Sequence, residues 1–421
     1  KAEYFIINAP ECEPPIETDK YLCRTFPARI IKTAEQIAEH LGASHCVIAT
    51  KAKYKREIAA LKEEIDRQKA KVEICEMRTF YPAGDEQVIV QEVTGRVVPE
   101  RGLPLDVGCV VDNVGTVLSV ADALEGKPVS EKYLSVTGAV KKTQMYHVPL
   151  GTSVLEILEH VGVTENPYAV IVGGPMMGKI LKTKEEIRQA VVTKTTGNLL
   201  VLPKDHYLVK RTEIPRESMI HQAAAACIQC RMCTDMCPRF MLGHEVRPNM
   251  VMRNLWKASM LTDDGEFENA FGSAVNCCSC GVCEMFACPM GLSPRKMNEY
   301  AKTLLRERGI NPQKNEHPEA REEIQYRKIP TERLIARLGL TPYVTHELPE
   351  EQELSVRECK ILLSQHIGKP AVAVVKTGEQ VEKGALVAHA AEGLSVNIHS
   401  GIGGTVKEVT EQYIIICGEE V

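Results

Sequence analysis

The sequence predicts a multidomain α/β chain arranged around a helical, cysteine-rich unit, and three observations predict it. Strand-like and helix-like periods alternate from Tyr4 to Met77. Two cysteine arrays, CIQCRMCTDMCP and CCSCGVCEMFACP, follow each other between Cys227 and Pro289. From residue 355 onward, short strand-like runs are separated by turn glycines. A length of 421 residues suggests about three or four domains, and 44% hydrophobic content suffices for several cores. The net charge of -5 argues against a nucleic-acid partner. No apolar run reaches the roughly 20 residues of a spanning helix, so no transmembrane segment is expected.

The first region reads βαβαβ. YFIINA (4–9) is a short apolar run, FPARIIKTAEQIAEHLG (26–42) has helical spacing, and HCVIAT (45–50) is a strand. YKREIAALKEEIDRQKA (54–70) is an amphipathic helix and VEICEM (72–77) a third strand. Short links in this order predict a mostly parallel sheet wrapped by helices, with ligands at the carboxyl ends of the strands. Two loops fall there. NAPECEPP carries Asn8, Glu11 and Glu13 on a backbone stiffened by Pro10, Pro14 and Pro15; FYPAGDEQ carries Tyr81, Gly84, Asp85 and Glu86. Composition alone leaves solvated acidic loops as the alternative reading. KAEYFIINA reads as a strand already under way at Lys1, so a natural start further upstream is expected.

Residues 128–207 form the next unit. KYLSVTGAV opens a strand pair, VPLGTSVLEILEHVG is a strand end and a short helix capped by Thr152 or Ser153, and YAVIVGG and NLLVLP supply further strands. The pattern resembles a β-grasp domain of the soluble-ligand-binding (SLBB) type. GGPMMG, Gly173 to Gly178, makes a tight turn after a strand, either structural or ligand-facing.

From 208 to 335 the chain reads as helices around the arrays. The first array spaces Cys227, Cys230, Cys233 and Cys237 as C-x2-C-x2-C-x3-C-P, the bacterial-ferredoxin run; Cys277, Cys280, Cys283 and Cys288 repeat it with one more residue before the last cysteine. Three thiolates on one tight turn hold three corners of a 4Fe-4S cubane, and the distant cysteine before proline completes the other cluster. The expected ligand sets are therefore crossed: Cys227, Cys230, Cys233 with Cys288, and Cys277, Cys280, Cys283 with Cys237. A structural zinc site needs no third cysteine on the turn, and a disulfide framework belongs to small secreted chains. Cys278 falls off the spacing and reads as a packed neighbour, and His244 as a satisfied side chain, since four thiolates per cluster are already supplied. SPRKMNEYAKTLLRERG is a helix with Ser293 as cap and Pro294 at its first position.

Polar connections (311–325 and 345–354) precede the last unit at 355–421. Its short strands and turn glycines have the shape of a barrel-sandwich hybrid, as in biotinyl or lipoyl carriers. The hairpin tip reads NIHSGIGG, with His399 where a carrier would present a lysine, so a docking or bracing role is expected.

The motifs carry a resemblance over nearly the whole chain. N-A-x-E-x-E-P and Y-x-x-G-[DE]-E look like the flavin and nicotinamide site of the complex I 51-kDa flavoprotein superfamily, and DVGCVVDNVGT (106–116) resembles its third flavin-facing turn, with Asp112, Asn113 and Thr116 on matching positions. NAPECEPPIETDK, GRVVPERGLPLDVG, NVGT, GGPMMG and the paired arrays are similar to two families: the RnfC component of the Rnf electron-transport complex, and the cobalamin (corrinoid) reductases of propanediol-utilising microcompartments. The carboxyl-terminal place of QHIGKPAVAVVKTGEQVEKGALVA and the longer spacing before Cys288 favour the cobalamin reductases. The phosphate-cradling GxGGAGFPT-type loop of the superfamily is expected just upstream of Lys1 and is absent from this sequence.

The resemblance implies a Rossmann-like FMN/NADH domain at 1–127 without its upstream glycine loop, a β-grasp domain at 128–207, a two-cluster ferredoxin-like domain at 208–335 and a barrel-sandwich hybrid at 355–421. A nicotinamide gives up two electrons as hydride while a cluster takes one at a time, so a flavin belongs between them. The expected function is an oxidoreductase passing electrons from NADH through FMN and two 4Fe-4S clusters to cobalamin, so that an adenosyltransferase can rebuild the coenzyme. Asn8, Glu11, Glu13, Tyr81, Gly84, Asp85, Glu86, Asp112, Asn113 and Thr116 would order flavin and nicotinamide. The expected location is the cytoplasm, inside a microcompartment with its shell proteins as the finer expectation. The alternative is an RnfC-like adaptor feeding ferredoxin, a membrane complex or a radical-enzyme activase.

Overall fold

Alternation of apolar strands with amphipathic helices has one stable outcome, a sheet covered on its faces, and a computed structural model of the protein has it at the amino end. It describes residues 2–345, 349–365 and 367–418. Lys1, residues 346–348 of the second polar connection and His366 of the carboxyl-terminal glycine-rich segment lie outside the described residues. Two compact units are each drawn from several segments: Lys1–Pro14, Ala34–Val114 and Lys210–Thr341 form the first, and Pro15–Thr33, Gly115–Val209 and Pro342–Val421 the second.

In the first unit, β1 (Tyr4–Asn8), β2 (His45–Lys51), β3 (Glu73–Met77), the short β4 (Phe80–Tyr81) and β5 (Cys109–Asn113) follow in chain order. Four of them form a wholly parallel sheet in the order β3-β2-β1-β5, while β4 pairs with Ile329–Pro330. The middle of central β1 is apolar because both faces are covered, and Phe5, Ile6 and Ile7 are wholly buried. Each such side chain contributes about 1.5–3 kcal/mol. The register sets Asn8 of β1 opposite Asn113 of β5, so both strands end level and their loops leave from one edge.

The helical part of this unit packs Arg216–Ala226, Pro248–Asn254, Asp264–Phe271 and Pro294–Glu307 around Phe267, Phe271, Met297 and Leu305. Pro294 is the first residue of the last of these helices, as the sequence predicts, but Ser293 before it makes no side-chain capping bond, and its hydroxyl accepts from Arg211 at 3.1 Å instead. The two cysteine arrays lie at the edge of this core.

The second unit contains a six-stranded mixed sheet in which β6 (Glu131–Gly138), β7 (Gln144–Pro149), β8 (Tyr168–Val172), β9 (Lys179–Leu181) and β10 (Asn198–Pro203) join Glu350–Gln352. Helix Val154–Val161 buries Val154, Ile157, Leu158 and Val161 against it. Two smaller sheets, of four and three strands, enclose Ile361, Val387, Ile398, Val406, Ile414 and Ile416 in the barrel-sandwich segment.

Candidate functional site

At the carboxyl edge of the parallel sheet, the two acidic loops close on each other. The Asn8 amide donates to the Gly84 carbonyl at 2.9 Å. A Cβ added to Gly84 would stand 2.6 Å from the Cys12 Cβ, so this close approach of the two loops requires glycine. Glu11 is buried with φ 39, and the almost fully buried Lys51 at the end of β2 donates from Nζ to its carbonyl at 2.8 Å. Cys12 is partly exposed as a residue, yet burial of its thiol pushes it up to about 12, with the Lys51 charge opposing and Glu13 adding.

Two of the loop residues, Asp85 and Tyr81, are taken up by structural partners. Asp85 caps helix Glu86–Thr94, accepting from the backbone N–H of Gln87 and Val88. It also accepts from Arg239 Nη1 at 2.5 Å, in an ion pair with both side chains largely buried. Burial opposes the Arg239 charge, but Asp85, joined by Cys278 and Cys280, turns the shift upward and keeps the guanidinium protonated. The Tyr81 hydroxyl, enclosed in the protein, donates to the Cys280 carbonyl at 2.7 Å. Burial, with Glu13 nearby, holds that phenol protonated well above its ordinary value.

Glu86 and Asp112 are differently placed. Much of the Glu86 side chain meets solvent, but loss of water at its carboxyl raises its pKa, with Asp85 adding, Arg239 opposing and Asp112 adding. Asp112, half-buried at the end of β5, is raised by burial alone. Carboxylates so crowded accept hydrogen bonds from hydroxyl and amide groups and repel a phosphate. The cluster therefore fits the polyhydroxyl and carboxamide parts of a flavin or nicotinamide nucleotide, and its phosphate belongs elsewhere. Asn113 is exposed and donates to the Asn8 carbonyl at 3.4 Å; Thr116 is exposed in the first turn of helix Val114–Leu124.

The two cysteine arrays fold as the same turn. Gln229 and Arg231 of the first take φ 56 and 63, and Ser279 and Gly281 of the second, at the same offsets, take φ 58 and 79. A left-handed backbone on both sides of the middle cysteine turns its neighbours' amides toward the sulfurs, and Ser279 N donates to Cys277 Sγ at 3.4 Å. Cys227, Cys230, Cys233 and Cys288 together line one small, partly open cavity. Burial raises the Cys233 thiol to about 12, and Cys227, Cys288 and Cys230 add to it. Cys283 is raised by burial and then by Cys277 and Cys237. Cys237 is raised by burial and then by Cys278 and Cys277. Cys278 lies against Cys280 and is held below the ordinary thiol value by that contact. Among the described residues, no three His, Cys, Asp or Glu side chains close on a single-ion site. The buried His244 ring bonds the Val98 carbonyl through Nε2 at 2.9 Å, a satisfied core residue.

Sequence reasoning did not single out Lys51, Arg239 or Arg211. Lys51 had a signal, a lysine ending a strand whose centre is apolar. Arg239 had a weaker one, a basic residue directly after Cys237-Pro238. Arg211 had none; it is buried against Glu284 at 3.1 Å and donates to the Gly291 carbonyl at 2.8 Å, tying the chain beyond the second array.

Comparison with known proteins agrees with this division of labour. Residues 1–122 match the Nuo51 FMN-binding domain, 133–179 the SLBB domain, 226–293 the 4Fe-4S dicluster domain and 339–419 the RnfC barrel sandwich hybrid domain. FMN and two 4Fe-4S clusters are thus the cofactors of this chain. The chain is 39% identical to a protein named cobalamin reductase PduS from Salmonella typhimurium, over 99% of this chain and 90% of that one. It is 37% identical to the protein of the same name from Citrobacter freundii, over 99% and 90%. To the C component of the Na(+)-translocating ferredoxin:NAD(+) oxidoreductase complex of Acetobacterium woodii it is 28% identical, over 61% of this chain and 54% of that one.

Proposed function

The chain belongs to the cobalamin reductase PduS family, and we propose that it takes electrons from NADH and delivers them, one at a time, to the cobalt of a corrinoid. The observation that carries this reading is the join between its two redox parts. Within one compact unit, the loop of the FMN-binding domain reaches the cluster-binding segment through Tyr81 to Cys280 and Asp85 to Arg239. An Rnf-type adaptor is less favoured, because the likeness to the Acetobacterium woodii protein spans 61% of the chain against 99% for the cobalamin reductases. Among the described residues no helix is long and apolar enough to cross a membrane. An adenosyltransferase that takes the reduced corrinoid, and a microcompartment lumen as the setting, extend this reading.

FMN supplies the step between a two-electron donor and one-electron carriers. This chain's residues do the rest. Glu86 and Asp112 would accept from hydroxyl and amide groups of the flavin and nicotinamide nucleotides, with Asn8, Glu11, Glu13 and Asn113 bordering them and Thr116 following in the chain. Lys51 and Gly84 hold the two loops together so that these acceptors stay in place. Asp85 and Tyr81 turn inward and fix the loop to the cluster-binding segment. Cys227, Cys230, Cys233 and Cys288 would hold one cluster, supported by the cavity they share; Cys277, Cys280, Cys283 and Cys237 would hold the other, supported by their mutual electrostatic neighbourhood.

The test is anaerobic. Full-length protein is reconstituted with iron, sulfide and FMN, NADH is added, and flavin bleaching is followed with the cluster EPR signals before cob(III)alamin is supplied. Bleaching, cluster reduction and conversion of cob(III)alamin to cob(II)alamin are expected in that order. Flavin that stays oxidised in the presence of NADH would defeat the proposal.

A further inference from the structure

The ferredoxin-like repeat offers two clusters with no order between them, and the surroundings of the two arrays break that symmetry. The second array faces the FMN-binding domain. The buried Tyr81 hydroxyl holds the carbonyl of Cys280, the middle cysteine of its turn, at 2.7 Å. Arg239, two residues after Cys237, is paired with Asp85 at 2.5 Å. Cys237, Cys280 and Cys283 are all buried. The first array faces outward. Cys230 is exposed, Ile228 beside it is 62% exposed, and Met290, on the same cavity as Cys288, is 47% exposed.

From this difference we infer that the cluster of Cys237, Cys277, Cys280 and Cys283 receives electrons from the flavin, and that the cluster of Cys227, Cys230, Cys233 and Cys288 passes them to the acceptor. The inference rests on the flavin reading above and adds direction to it. Electron transfer weakens steeply with separation. The cluster whose ligand turn is hydrogen-bonded to the flavin loop has the shorter bonded path to the donor. A corrinoid is too large to reach a buried sulfur, so it must meet the cluster whose ligand is exposed. Each NADH releases two electrons and one proton; two single transfers leave through the first array and reduce two cob(III)alamin to two cob(II)alamin, with the proton going to solvent. Tyr81 is a positioning residue on this route, acting through the Cys280 carbonyl.

The test uses reconstituted full-length protein and freeze-quench EPR. Electrons are supplied by NADH and, in parallel, by photoreduction of the bound flavin, so a failure of NADH as donor is separated from a failure of the order. In Cys227→Ser/Cys230→Ser protein, the second cluster is expected to be reduced at the unaltered rate while corrinoid reduction is lost. In Cys280→Ser/Cys283→Ser protein, the first cluster is expected to stay oxidised after either donor, although dithionite reduces it. Rapid reduction of the first cluster by flavin in that second variant would overturn the inference. Where dithionite shows that a double variant has lost both clusters, Tyr81→Phe decides: the EPR signal and midpoint potential of the second cluster should shift and those of the first stay put. A shift confined to the first cluster would reverse the order.

Discussion

The two cysteine arrays share their cysteine spacing up to one extra residue and the same left-handed turn, yet the first has an exposed cysteine, Cys230, and the second has none. Their left-handed residues fall at the same offsets, with Arg231 in the first where the second has Gly281. The second is gripped from three sides: Tyr81 holds the Cys280 carbonyl, Lys302 Nζ donates to the Cys277 carbonyl, and Glu284 within the array is paired with buried Arg211. The first has an exposed cysteine and an apolar rim. A ligand motif thus sets which cluster forms, while burial and hydrogen bonding set its potential and its accessibility. Two copies of one motif can in this way become two different stations.

Substitutions that release the grip should separate the arrays, beginning with the largest effect. Glu284→Ala leaves Arg211 charged and buried without its carboxylate, and a loss of about 3–5 kcal/mol in unfolding free energy is expected by denaturant titration. An unchanged midpoint would mean that the second array is not braced in this way. Asp85→Ala strips both the cap of helix Glu86–Thr94 and the partner of Arg239, at about 2–4 kcal/mol. Its sharper readout is EPR, in which the second cluster's signal should change and the first's should not. On the open rim, Ile228→Ser should alter stability by no more than about 0.5 kcal/mol; a large drop would show that the first array is as closely packed as the second.

The smallest effect concerns pH. Asp112 and Glu86 have carboxyl pKa values raised in the fold, so the native protein keeps their protons longer than the unfolded chain does. The contribution of these two groups to stability must then fall as pH rises from the ordinary carboxylate range, about 4, through the raised values, and below that window the penalty is absent. Asp112→Asn should flatten this fall in flavin-free protein, measured as the denaturation midpoint across a pH series. A slope equal to that of the unaltered protein would remove Asp112 from the acidic cluster.

The βαβαβ order, the strands at 4–9 and 45–50 and the helix at 54–70 were legible because their apolar residues follow periods of two and of about 3.6, and the structure differs by one or two residues at their ends. The ligand cysteines were legible because cluster ligation demands a fixed spacing on a tight turn. The roles of Tyr81 and Asp85 were not. Both lie in a loop that looks like a nucleotide site, and both are turned inward, on Cys280 and Arg239, residues far along the chain. Lys51, one residue beyond the strand expected at 45–50, likewise holds the carbonyl of Glu11.

By itself the sequence determined which elements form and which atoms can bind iron, since periodicity and ligand spacing act over a few residues. The tertiary structure alone decided which acidic side chains stay open at the sheet edge, which are taken up as caps and ion pairs, and which array is shielded. Those outcomes depend on burial and on partners more than a hundred residues away, and desolvation is a property of the packed protein that no local stretch of chain carries.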